Sequence, residues 1–91
     1  MPPTTPLAFE VLSNAPNAPV VRHPSRRFPG VLIQGDTLHT WCSDLAALAS
    51  RLDPESEAGE DCRLLLEQLA EVERTYVETL NEHGIPLPFV R

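Results

Sequence analysis

Leu38, Trp41, Leu45, Leu48 and Leu52 recur at steps of three, four, three and four. An extended strand scatters such residues over both faces, whereas a helix of 3.6 residues per turn stacks them into one stripe. Cys42 and Ala49 widen that stripe, and Trp41 within it is expected to be core. The polar run DPESEAGED, Asp53 to Asp61, carries Pro54 and Gly59 and reads as a loop. A longer stripe follows, Cys62, Leu65, Leu69, Val72, Tyr76 and Leu80, and it closes at His83-Gly84, with Gly84 placed for a left-handed cap. Two amphipathic helices on a short connection bury their stripes against each other, so a helical hairpin is the first constraint on the fold.

The first third of the chain has a different texture. Phe9 and Val11 in LAFEVL, Leu7 to Leu12, favour a strand that stops at the Asn/Pro cluster after it. Pro19 to Arg22 is a second extended piece, halted by Pro24. Val31-Leu32-Ile33-Gln34 is the most strand-like run, and its continuous apolarity predicts a central strand buried on both faces. The expected fold class is α+β in the order β-β-β-α-α: a small three-stranded sheet, antiparallel through the 13–19 turn and covered on one face by the helical hairpin. Five of the ten prolines precede residue 20. Residues 1–6 accordingly read as a disordered N-terminal arm, and residues 7–91 as a single domain. The apolar tail Ile85 to Val90 is expected to fold back on the helix pair or the sheet edge.

Charge narrows the function classes. The formal net charge is −6, with seven arginines and no lysine. Residues 1–40 are at +1 and residues 41–91 at −7, from four arginines against eleven acids. An acidic surface repels phosphate backbones, so nucleic-acid partners are disfavoured and a basic partner protein is favoured. No apolar run reaches bilayer length, and the N-terminus shows no basic region followed by an apolar core. A cytoplasmic protein without membrane contact, its Cys42 and Cys62 reduced, is the expectation.

Four constellations need weighing. The corner from Arg22 to His39 joins a strand to a helix, with Asp36 as a candidate N-cap. Helix N-termini bind anions, so Arg22, Arg26, Arg27, Gly35 and Thr37 form a candidate site for a small anionic ligand. The plainer reading makes Gly35 a turn residue and lets the arginines pair with the acidic helices. His39 and Cys42 lie three apart on the first helix, yet nothing supplies a third group to orient a catalytic pair, so no catalytic residue is assigned. The three histidines fall in three elements without metal-ligand spacing, which predicts neither metal nor cofactor. Glu67, Glu71, Glu73, Glu78 and Glu82 read first as a solvated helix face and second as one half of an interface with a basic cleft.

Val20-Val21-Arg22, Arg27-Phe28-Pro29-Gly30-Val31, Gln34-Gly35-Asp36-Thr37-Leu38 and the ending His83-Gly84-Ile85-Pro86-Leu87-Pro88 resemble a family of small bacterial domains of unknown function. The resemblance implies no activity. By analogy of size and charge, such proteins are similar in style to immunity proteins encoded beside secreted toxins. The functional expectation is therefore a non-enzymatic immunity or antitoxin-type module, a toxin inhibitor that occludes the active cleft of a partner. The contacts assigned to that role are Arg26, Arg27, Phe28 and Gln34 at the corner, with Glu67, Glu71 and Glu78 on the second helix. A regulatory domain sensing an anion at the Gly35-Asp36 corner is the alternative, and monomer and homodimer both remain open.

Overall fold

The computed structural model describes residues 2–91; Met1, the first residue of the expected arm, lies outside the described residues. The chain is α+β, in the order β1 (Glu10–Ser13), β2 (Val20–Arg22), β3 (Gly30–Val31), α1 (Gly35–Ser50) and α2 (Glu57–Glu82). It divides into two compact units, Pro2–Gln34 with the sheet and Gly35–Arg91 with the helices. Each is taken by itself below.

The sheet is antiparallel throughout in the order β1-β2-β3, so β2 is its centre. The expectation of a central, doubly buried strand at Val31–Gln34 is corrected: β3 is a two-residue edge strand with Val31 exposed. The cause lies in β2, which is bounded by Pro19 and Pro24. Proline has no N–H to donate, so β2 offers a partner only three residues of ladder. Pairing ends where the Leu32 N–H donates to the Pro19 carbonyl at 2.9 Å. On the other side Glu10 faces Arg22 and Val11 faces Val21, and a bulge then brings Ser13 opposite Val20. The first strand consequently lies three residues later than Leu7.

In the helical unit, α1 and α2 pack as the expected hairpin, but each is rotated about its axis from the expected facing. Half-buried and buried positions on α1 include Gly35, Leu38, Cys42, Leu45 and Ala49, and on α2 they include Gly59, Cys62, Leu66, Leu69, Glu73, Tyr76 and Leu80. Trp41, expected in the core, is 46% exposed, and Leu48, Leu65 and Val72 are exposed as well. Small residues permit the close approach. A Cβ on Gly35 would stand 2.1 Å from the Tyr76 ring.

The loop is shorter than the sequence suggests, because α2 takes up Glu57 to Asp61. Ser56 is the N-cap: its hydroxyl accepts the Gly59 N–H at 3.0 Å and donates to the Asp53 carbonyl at 2.6 Å. Replacing Ser56 with Ala removes both bonds and is expected to lower stability by about 1 kcal/mol in urea unfolding. At the far end Gly84 takes φ 67°, and the Ile85 N–H returns to the Leu80 carbonyl at 2.9 Å, the left-handed cap expected there. That reversal sends the tail back along the helices, where Phe89 stacks on His39.

Candidate functional site

The helical unit has one polar constellation in its interior. Glu73 follows Cys62, Leu66 and Leu69 at the hairpin's own spacing, so its carboxylate is carried inward instead of into the solvated face; it is 7% exposed. His39 meets it from the first turns of α1, its Nδ1 2.5 Å from Glu73 Oε1, the ring donating to the carboxylate. Phe89 covers the imidazole face to face, with ring centroids 4.0 Å apart, and Tyr76 lies beside Phe89 at 6.4 Å.

Glu73 is thus the third group that sequence reasoning did not find beside His39 and Cys42. Its effect on the thiol is opposite to activation. Burial first, then the Glu73 charge and its role as acceptor for the S–H, push the Cys42 thiol above its ordinary 9.0, with Arg91 acting weakly the other way. A nucleophilic cysteine needs a stabilised thiolate, and a neighbouring carboxylate withholds it. The cluster works as a polar clamp between α1 and α2. Stability that depends on Cys42 staying protonated is present below pH 9.0 and lost as pH rises above it, because the unfolded chain ionises first. Urea midpoints measured upward from pH 9 are expected to fall less steeply in Cys42→Ala than in the parent.

A second feature of the unit is a cavity of about 330 Å³, open to solvent and walled by Trp41, Leu45, Leu48, Leu65 and Leu69 with Asp44 at its rim. It lies along one side of the hairpin, where the exposed Trp41, Leu48 and Leu65 flank the half-buried Leu45 and Leu69. Glu67, Glu71 and Glu78 are not part of it: they lie about 120–160° around α2 from Leu65. Glu67 is paired with Arg63 at 2.8 Å and Glu71 with Arg74.

The corner residues are divided between the units. Gly35 and Thr37 begin α1, where Gly35 is buried beside the Tyr76 ring and the Thr37 N–H donates to Asp36 Oδ1 at 3.0 Å. Asp36 therefore accepts a first-turn N–H from inside α1, which begins at Gly35, and is not the N-cap expected of it. In the sheet unit, Arg22 Nε stands 2.9 Å from Glu10 Oε1 but off the N–H axis, an ionic contact and not a hydrogen bond. Arg22 also donates to the Arg27 carbonyl at 3.3 Å. Arg27 lies over the ring of Phe28, which is 75% exposed, while Arg26 and Gln34 are exposed.

Among the described residues no helix is long and apolar enough to cross a membrane, and no cluster of three or more His, Cys, Asp or Glu side chains could hold a metal ion. A model described as a family of unknown function (DUF6959) matches residues 6–89. No curated protein and no solved structure matches the chain.

Proposed function

Because the chain belongs to the DUF6959 family, whose members' function is unassigned, we propose from its own geometry that it is a non-enzymatic protein-binding module. Its helical unit seats a cationic, amphipathic helix of a partner protein. The observation that carries this reading is the second apolar stripe on each helix, with Trp41 46%, Leu48 42% and Leu65 50% exposed around one groove. An antiparallel helix pair with a groove of this kind accepts a third helix by the same spacing that packs the first two.

Charge selects the occupant. Residues 35–91 hold four arginines against twelve carboxylates, a formal charge of −8. Two copies of such a surface repel, whereas a Lys/Arg-flanked apolar helix is attracted and steered. Asp44 at the groove rim offers that helix a direct ion pair, and the distant Glu67, Glu71 and Glu78 act through the field alone. The specific form proposed is the immunity or antitoxin role, in which the bound segment borders a toxin's active cleft.

Affinity purification of the tagged protein, followed by crosslink mapping, tests the proposal. The expected result is a crosslink from the groove to a basic amphipathic segment, with affinity lowered about 100-fold in Trp41→Ala/Leu65→Glu. Arg26→Ala/Arg27→Ala is expected to bind within a few-fold of the parent. Equal capture by the groove variant, or a homodimer that the groove variant dissolves, overturns it. Inhibition of the captured partner's activity decides the immunity form.

A further inference from the structure

The sheet unit carries a cavity of its own, about 320 Å³, walled by Phe9, Val21, Phe28 and Val31 with His23 and Arg26 at its polar side. The groove proposed above belongs to the other unit, so the two readings stand or fall separately. We infer that this cavity binds a carboxylate attached to a single aromatic ring, held by Arg26 and His23.

Three observations lead there. The first is the turn His23-Pro24-Ser25-Arg26, closed by the Arg26 N–H donating to the His23 carbonyl at 2.9 Å. Proline at its second position pre-sets the turn, which brings His23 and Arg26 to one side of the cavity. The second is the state of the imidazole. Ser25 directs its backbone N–H at 3.0 Å and its hydroxyl at 2.7 Å toward His23 Nδ1. Nδ1 is therefore an acceptor, and a neutral ring carries its proton on Nε2 as a donor. Phe9 meets that ring edge to face, centroids 4.8 Å apart, and holds its plane.

The third is an uncompensated charge. Residues 2–34 hold Arg22, Arg26 and Arg27 against Glu10 alone, and Arg22 takes up Glu10. Among the described residues no carboxylate pairs with Arg26. A guanidinium fork matches the two oxygens of a carboxylate, and an adjacent N–H donor reinforces it. The apolar walls favour an uncharged body over the hydrated sphere of a free phosphate. The volume is at the low end for ligand sites and fits one ring on a short tether. Two sources share this chemistry: a free aromatic acid and the carboxyl terminus of a peptide ending in an aromatic residue.

Titration of ¹⁵N-labelled protein with phenylacetate, and with a pentapeptide ending in a Phe carboxylate, tests the inference. The expected result is saturable amide shifts at Phe9, His23, Arg26 and Phe28 with at least one ligand, weakened about tenfold or more by Arg26→Met. Phe28→Ala, at an exposed position, is expected to weaken binding as well. Tighter phenylacetate binding identifies the free acid as the source, and tighter peptide binding identifies the chain terminus. No saturable shift, equal binding of phenylacetamide, equal binding by Arg26→Met, or equal competition by inorganic phosphate overturns it.

Discussion

Glu73→Ala is expected to lower the free energy of unfolding by about 2–3 kcal/mol, one of the two largest losses for a single substitution in this chain. Removing one partner of a fully buried ion pair costs about 3–5 kcal/mol, because the other is left without its hydrogen bond in a poorly solvated place. Here the side chain of His39 is 26% exposed and that of Glu73 9%, so water reaches the imidazole and the cost falls below that range. The informative comparison is the double variant His39→Leu/Glu73→Leu. Exchange of a buried polar pair for apolar side chains is often neutral or stabilising, so the double variant is expected within about 1 kcal/mol of the parent. Urea unfolding followed by far-UV circular dichroism measures all three. A double variant as unstable as Glu73→Ala would show that the positions need their polarity for some other reason.

Gly59→Ala is the second, and its sign is what makes it useful. Helix propensity alone favours Ala over Gly by about 1 kcal/mol at an interior position. The Asp53 carbonyl, however, stands 2.1 Å from where the new Cβ would lie, and it belongs to backbone that Ser56 ties down through its own N–H and hydroxyl. Forcing that turn apart costs about 3 kcal/mol and loosens the cap bond to Gly59. The net expectation is a loss of about 2 kcal/mol. A stabilised variant in the same urea titration would mean that the turn gives way freely.

The hairpin is legible from the spacing of its leucines, but the rotation of each helix is not. At Trp41/Cys42, Leu48/Ala49 and Leu65/Leu66, two apolar residues stand side by side, so either member of each pair satisfies a three-four pattern. Choosing the larger puts Trp41 and Leu48 inside, and between the identical Leu65 and Leu66 size decides nothing. The structure takes Cys42, Ala49 and Leu66, because helices as close as Gly35 is to Tyr76 have no room for an indole between them. The buried carboxylate was readable in retrospect: Cys62, Leu66, Leu69, Glu73, Tyr76 and Leu80 run at four, three, four, three and four. Composition disguised it among neighbouring glutamates. The strands were harder, since the ladder of β1 and β3 is limited by prolines on either side of β2 and not by their own residues. The clamp of His39, Glu73 and Phe89 joins positions 39, 73 and 89, and only the chain reversal at Gly84 brings the last of these to the first two.

Cys42 and Cys62 are free thiols, and both are buried between α1 and α2, 6% and 8% exposed. They lie on opposite helices of the one hairpin, and neither faces the open groove between Trp41 and Leu65. A soluble disulfide reagent reaches them only when the helices part. Its reaction rate in native buffer is therefore a built-in clock for the breathing of the hairpin. A partner helix seated in the groove would slow that clock without touching either sulfur.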